Sequence, residues 1–291
     1  MISENPLITR FAPSPTGYLH LGHAYAAWFA EQIAKEADGI FLLRIEDIDH
    51  LRCRFEYENA ILEDLSWLGL KWQQPVRRQS DHMKEYVLGI EKLKNMGLIY
   101  PCFCSRKQIR EEIQNINAAP HDQLIRKQGP IYPGTCRMMK SEDCKERIAS
   151  GLSYALRLNM EKAMHLAIQK KKKLRWIDKD TGFQTATPEH FGDVVLARKD
   201  DLTSYHLSVV IDDAVQGVNL ITRGEDLRDV THIHCLLQAL LDYESPVYNF
   251  HRMLVDDRGR RLAKRNKSLT LRKLREDGLT VEEIKEMTNI L

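Results

Sequence analysis

The fifteen residues from Thr9 to His23, TRFAPSPTGYLHLGH, constrain this chain more than any other stretch. They set a short apolar strand, a proline-glycine turn and a helix start in immediate succession. Pro13, Pro15 and Gly17 close a tight turn after the strand. A helix beginning near Leu19 or His20 aims its unpaired backbone N–H groups back at that turn, where an anion is expected. His20 and His23 stand at i and i+3, so both rings reach the same spot, and small Gly22 leaves room for a nucleotide to approach closely.

Along the rest of the chain, short β-rich runs alternate with longer helical patterns, which predicts an α/β fold with a mostly parallel sheet covered by helices. A strand is expected at Ile8–Phe11, a helix over about Leu19–Ala37 stopped by Gly39, and a strand at Ile40–Ile45. Helical patterns at about Arg54–Leu68 and Asp81–Met96 end at Gly69 and Gly97. From about Pro101 to Gln184 the rhythm breaks into clustered cysteines, a Pro/Gly loop at Gln128–Gly134, and apolar runs at Ser153–Leu158 and Leu174–Ile177. This stretch reads as an insertion. Strand-like Asp193–Ala197, His206–Val210 and Val218–Thr222 resume the sheet, and Leu227–Leu241 reads as a helix. The expected division is 1–100 and 185–267 as two halves of one catalytic domain, 101–184 as the insertion, and 268–291 as a short helical segment.

Lysine and arginine total 43 against 41 acids, a formal charge of +2. That balance excludes a nonspecific nucleic-acid coat and confines any RNA contact to a local surface. Lys170–Lys173 with Arg175 and Trp176 could track phosphates and stack a base, but a solvated turn beside a packed tryptophan is the expectation. No basic-apolar leader and no stretch of membrane-spanning length occur, so a cytoplasmic location is expected. Six cysteines in such a chain suit thiols or metal ligands better than disulfides.

Three clusters carry candidate chemistry. Arg44-Ile45-Glu46-Asp47-Ile48-Asp49 closes a strand with three acids, at the end where open α/β sheets place ligands. One acid there could bind an ammonium group, while Asp47 and Asp49 suit a helix N-terminus. Arg10 and Arg223 also end strands, and a guanidinium takes a carboxylate bidentately where it would reject an amide. The basic loop from Arg258 to Lys267 suits a polyphosphate transition state. Cys102-Phe103-Cys104 and Tyr132-Pro133-Gly134-Thr135-Cys136 bring three thiols within reach of a structural zinc ion, which wants four ligands. Cys144 and His121 are candidates for the fourth place.

His20-Leu21-Gly22-His23 resembles the HIGH signature of class I aminoacyl-tRNA synthetases, and Arg10-Phe11-Ala12-Pro13-Ser14-Pro15-Thr16-Gly17 is similar to the glutamyl and glutaminyl branch. The resemblance runs from about Thr9 to Lys267 with its motifs in order. It implies a Rossmann-like catalytic domain in which His20, Gly22, His23 and Lys264 contact ATP, bound with Mg²⁺. It further implies that Arg10, Ser14, Glu46, Tyr205 and Arg223 hold L-glutamate, Glu46 through its α-amino group. Arg261-Leu262-Ala263-Lys264-Arg265 resembles the KMSKS loop, with Arg261 and Ala263 departing from the pattern. The family's C-x-C…Y-x-x-x-C pattern makes Tyr132 the fourth zinc ligand beside Cys102, Cys104 and Cys136.

Only two short helical segments, Leu271–Glu276 and Val281–Met287, follow that loop. No long anticodon-binding region is therefore expected, and the chain resembles the truncated glutamyl-queuosine tRNA(Asp) synthetase branch. That resemblance implies tRNA-independent formation of glutamyl-adenylate, transfer of glutamate to the cyclopentene-diol of queuosine in the anticodon of tRNA(Asp), and a monomer. A compact glutamyl-tRNA synthetase charging a 3′ end, and a non-catalytic RNA-binding paralogue, are the alternatives.

Overall fold

The computed structural model describes residues 6–117, 125–126, 129–198, 202–254 and 270–290. Its first half runs β1 (Ile8–Phe11), α1 (Leu21–Glu36), β2 (Ile40–Ile45), α2 (Phe55–Trp67), β3 (Gln73–Arg78), α3 (Met83–Asn95) and β4 (Ile99–Cys102). Next come α4 (Arg106–Asn117), the two-residue strands β5 (Ile125–Arg126) and β6 (Gly129–Pro130), α5 (Ser141–Ala149), β7 (Ala155–Leu158), α6 (Met160–Lys171), β8 (Arg175–Asp178) and β9 (Gly182–Thr185). The remainder is β10 (Val195–Arg198), α7 (Tyr205–Val215), β11 (Leu220–Gly224), α8 (Thr231–Leu241), β12 (Val247–His251), α9 (Leu271–Glu276) and α10 (Val281–Thr288).

β1, β2 and β3 form a parallel sheet, and β11, β12 and β8 form another, edged by antiparallel β9. Asn219 joins the two. Its side-chain oxygen accepts from the Ile8 N–H at 2.8 Å, and its own N–H donates to the Ile8 carbonyl at 3.3 Å. The strands therefore run β3-β2-β1-β11-β12-β8-β9, and the direction of winding reverses between β1 and β11. A crevice at the carboxyl ends of strands on either side of such a reversal is where doubly wound folds bind ligands. Arg10 and Arg223 are the penultimate residues of those two strands.

Gly39 does more than stop α1. A Cβ there would lie 2.3 Å from the Leu7 carbonyl oxygen, and that close approach lets Ile40 donate to the same carbonyl at 2.7 Å and start β2 against β1. Leu21, Trp28, Leu43 and Ile61 pack between α1, α2 and the sheet, and Leu271 and Ile284 of the last two helices close that core. A second core lies under α3, α6, α7 and α8, with Tyr86, Leu158, Trp176 and Tyr248 buried in it.

Three expectations change. His206–Val210 is part of helix α7 rather than a strand, because Leu207 to Asp213 are all buried. A helix covered on nearly every side carries no 3.6-residue polar stripe, and its valine run imitates a strand. Within the expected insertion, β8 and β9 pair with the main sheet, while β7 joins β4 in a separate antiparallel sheet; β10, from the Asp193–Ala197 run expected to resume the main sheet, pairs with β7 there instead. β3 and β12 were not expected: β3 is a polar edge strand containing Pro75, and β12 follows Pro246 as five residues with two polar side chains. Trp176 is buried edge-on to Tyr248 and Phe250, as the packed-tryptophan expectation has it. No helix among the described residues is long and apolar enough to cross a membrane.

Candidate active site

The turn after β1 is stitched to the end of β2, since Glu46 donates its N–H to the Pro13 carbonyl at 3.0 Å. Arg54 does the same to Pro15 at 3.0 Å. At the helix start the two imidazoles cap the backbone. Gly22 N–H donates to His20 Nδ1 at 3.1 Å, and His20 N–H donates to His23 Nδ1 at 3.2 Å, with the ring centroids 3.8 Å apart. The first-turn N–H groups are therefore not an open anion nest as expected. Nδ1 accepts a backbone N–H in both rings, which puts the ring proton of each on Nε2. A Cβ on Gly22 would stand 3.1 Å from His20 Cε1, so the glycine admits the His20 ring first of all. His20 also bridges to Thr270, and Leu271 N–H donates to the Leu19 carbonyl at 2.8 Å, which ties α9 to this turn. Lys264, Arg261 and Ala263 lie outside the described residues.

Beside the turn is a cavity of about 330 Å³ lined by Ser14, Thr16, Glu46, Gln79, Ser204 and Tyr205, among others. Glu46 is nearly buried and pairs with Arg44 at 3.1 Å. Burial raises its pKa, and the charges of Arg44 and Arg10 oppose the rise. Tyr205 presents more than a third of its surface to the cavity. Burial of its hydroxyl raises that pKa too, against the opposing charge of nearby Arg223. Asp47 accepts from the N–H and hydroxyl of Ser80 at the start of the short 3₁₀ helix Gln79–His82 that leads into α3, a helix N-terminus as expected, whereas Asp49 serves a turn, accepting from the N–H groups of Leu51 and Arg52.

The two candidate arginines differ sharply. Arg10 is buried against Asp213, giving Nε to Oδ1 at 3.0 Å and Nη2 to Oδ2 at 3.4 Å, and its Nη1 donates to the Thr222 carbonyl at 3.0 Å. Three of its five N–H donors are thus occupied. Arg223 is 5% exposed and lies over the Tyr248 ring. Its Nη1 donates to His234 Nδ1 at 3.3 Å, while Nε and Nη2 have no hydrogen-bond partner among the described residues. Those two atoms form one edge of the guanidinium, the edge that grips a carboxylate with two parallel bonds. A buried cation left this way is costly without an anion, and this edge has the geometry to take one.

The sequence family described as "tRNA synthetases class I (E and Q), catalytic domain" matches residues 6–288. The chain belongs to that family. It is 43% identical to a glutamyl-Q tRNA(Asp) synthetase of Rhodobacter capsulatus, over 98% of this chain and 100% of that one. It is 38% identical to one of Nitratidesulfovibrio vulgaris, over 94% of this chain and 83% of that one. A glutamate–tRNA ligase 2 of Nitrosococcus oceani is 35% identical over 97% of this chain, which spans 58% of the ligase. The crystal structure of a glutamate-tRNA synthetase from Elizabethkingia anophelis shares the fold, with a TM-score of 0.74 and 23% identity; the match covers 94% of this chain and 54% of that one.

In this class I synthetase the cysteines converge as a third cluster. The sulfurs of Cys102, Cys104 and Cys136 all lie within 4.8 Å of one another. Cys104 Sγ is 3.4 Å from Cys136 Sγ and 3.6 Å from the Tyr132 hydroxyl, which accepts from the Cys136 N–H at 2.8 Å. Zinc with Zn–S bonds of about 2.3 Å spaces tetrahedral sulfurs about 3.8 Å apart, so three thiols and one phenol fit it. Burial pushes the Cys104 thiol up to about 12, whereas for Cys136 burial is outweighed by hydrogen bonds from Tyr132, the Phe103 N–H and the neighbouring thiols. Cys144 is outside this trio, and His121 is outside the described residues.

Sequence reasoning did not find Asp212, Asp213, His206 or His234. The first three lie on α7, whose valine run read as a strand and so aimed these side chains nowhere in particular. His234 sits in the apolar stretch of α8, where a lone histidine gives no local signal.

Proposed function

We propose that this chain activates L-glutamate with ATP, without tRNA, and then transfers the glutamyl group to queuosine in the anticodon of tRNA(Asp). The observation that carries the glutamate half is the open Nε–Nη2 edge of buried Arg223, whose charge acts on the hydroxyl of Tyr205, a residue that lines the cavity together with Glu46. A dicarboxylic amino acid meets both needs: its side-chain carboxylate neutralises Arg223, and its ammonium group meets Glu46. Ser14 and the remaining donors of Arg10 complete its cradle. The queuosine half is supported by the 43% identity to a relative that bears the glutamyl-Q name and is matched over its whole length.

In the first step an oxygen of the substrate α-carboxylate attacks the α-phosphorus of ATP, and the bond to pyrophosphate breaks. His20 and His23 meet the developing negative charge through their Nε2–H groups, and Lys264 is assigned to the same charge. Mg²⁺ would enter as part of the ATP substrate and would supply charge neutralisation at its phosphates. No side chain acts as a covalent nucleophile, because holding the two reactants in line supplies much of the acceleration. In the second step a queuosine hydroxyl attacks the acyl carbon and AMP leaves. Cys102, Cys104, Cys136 and Tyr132 would hold zinc, which supplies a structural cross-link between β4 and the loop carrying Tyr132. The protein works as a cytoplasmic monomer.

Glutamate-dependent exchange of labelled pyrophosphate into ATP, run with no tRNA present, tests the activation step. Exchange with glutamate and little with glutamine or aspartate is expected. Exchange only when tRNA is added would contradict tRNA-independent activation, and no exchange at all would leave an RNA-binding paralogue.

A further inference from the structure

Behind the Arg223 fork lies a buried polar cluster that the reaction as described leaves without a role. His234 is 1% exposed at the start of α8. Its Nδ1 is 3.3 Å from Arg223 Nη1, and its Nε2 is 3.3 Å from His206 Nδ1. Arg223 can only donate, which settles the chain of protons. His234 accepts at Nδ1, carries its proton on Nε2 and donates to His206 Nδ1, so His206 carries its proton on Nε2. Both imidazoles flank the Tyr205 ring, each with its centroid 5.6 Å away. Arg223, His234 and His206 are thereby linked in one hydrogen-bonded chain against Tyr205, which lines the cavity.

We propose that the His206–His234 pair is a neutral positioning device that aims Arg223 and makes the pocket select a carboxylate over an amide. The argument is one of charge. A guanidinium needs an acceptor to fix its plane, and evolution commonly supplies a carboxylate, as Asp213 does for Arg10. An acidic partner on Arg223 would cancel its charge and leave a pocket equally content with an amide. An imidazole nitrogen fixes the plane and leaves the charge whole. The pair stays uncharged because burial and the Arg223 cation both disfavour its protonated forms: His206 is brought down to about 4, and His234, which also faces Arg10 and His206, falls well below the usual range. The orphaned Nε and Nη2 of Arg223 are the consequence, a charge held in place and not neutralised.

This inference rests on the glutamate reading, and pyrophosphate exchange on the full chain separates the two. His234→Leu removes the acceptor, His234→Asn returns a neutral acceptor near the Nδ1 position, and His234→Asp puts a charged one of the same size there. The leucine variant should raise the glutamate KM about ten- to a hundredfold while the ATP KM stays put. Asparagine should recover most of that loss. Aspartate should raise the glutamate KM and lower the preference for glutamate over glutamine, a result that a merely structural role would not produce. Should leucine fail to fold, the asparagine–aspartate pair decides, since the two are nearly the same size and shape and both offer an acceptor oxygen, while only aspartate brings a negative charge. Unchanged glutamate KM in folded His234→Leu, or equal selectivity of the asparagine and aspartate variants, overturns the proposal while wild-type exchange persists. Absence of glutamate-dependent exchange in the wild type removes the functional reading and this inference together.

Discussion

Asp213 grips Arg10 along one edge of its guanidinium, with Nε at 3.0 Å from Oδ1 and Nη2 at 3.4 Å from Oδ2. Arg44 reaches the same Oδ1 at 2.7 Å. One carboxylate on α7 thus fastens β1 and β2 of the first half to the second half of the fold. It also sorts the two candidate arginines: Arg10 is gripped by a carboxylate of the protein, and Nε and Nη2 of Arg223 have no hydrogen-bond partner among the described residues.

Asp213→Asn should be strongly destabilising at neutral pH, by about 3–5 kcal/mol, because two buried guanidiniums lose their shared anion. Burial pushes the Asp213 carboxyl up, but Arg10 and Arg44 outweigh it and bring it down to about 2. A folded-state pKa below the unfolded value stabilises above the unfolded pKa, and that contribution is lost as pH falls through the folded one. Urea unfolding should therefore show the gap between wild type and variant narrowing as pH drops from about 4 toward about 2. A gap independent of pH would contradict this account.

Asp64 shows the opposite sign. It is fully buried on α2, neither of its oxygens finds a hydrogen bond among the described residues, and Arg275 stands 3.9 Å away. Burial raises its carboxyl to about 6, against the charges of Arg275 and Arg272. The protonated form is the one the fold favours, so stability is lost as pH rises from about 4 through about 6. Asp64→Asn should stabilise the protein by about 1–3 kcal/mol at pH 7.5 and change little near pH 4. Equal melting temperatures of the two proteins at pH 7.5 would show that the carboxylate is satisfied after all.

Gly22→Ala separates stability from activity. Alanine suits a helix better by about 0.5–1 kcal/mol, yet its Cβ would press on the His20 ring at 3.1–3.2 Å. Moving that ring displaces an Nε2 donor, and misplacement on this scale costs up to about a hundredfold in rate. Thermal unfolding should be unchanged or later, with pyrophosphate exchange slowed at least several-fold. Full exchange activity in the variant would remove His20 from the phosphate site.

The metal cluster is tested by composition. Protein purified without chelator should carry one zinc per chain by mass spectrometry, Cys104→Ser and Cys136→Ser should lose it, and Tyr132→Phe should hold it more weakly. Full zinc occupancy in Tyr132→Phe would give the fourth place to another ligand.

Much of this was legible in the sequence for a physical reason. Pro13, Pro15 and Gly17 act within a few residues of themselves and Gly39 stops α1 locally, so the first β-strand, its turn and α1 follow from local chemistry, whereas the approach of Gly39 to Leu7 that starts β2 does not. The cysteine trio was legible for the same reason, since C-x-C spacing already places two sulfurs together. What stayed hidden depends on distant partners. Nothing local to Arg10 and Arg223 distinguishes them; Asp213 does, from about two hundred residues away in sequence for Arg10. Likewise α7 lost its helical signal because it is buried all round, and with it went Asp212, Asp213 and His206.

The most direct test of the central claim is transfer of labelled glutamate, with ATP, onto tRNA(Asp) that contains or lacks queuosine, followed by mapping of the labelled nucleotide. The account predicts label on the queuosine-containing tRNA alone, at the anticodon. Label at the 3′ end of a glutamate tRNA, or equal label on both forms of tRNA(Asp), would contradict it.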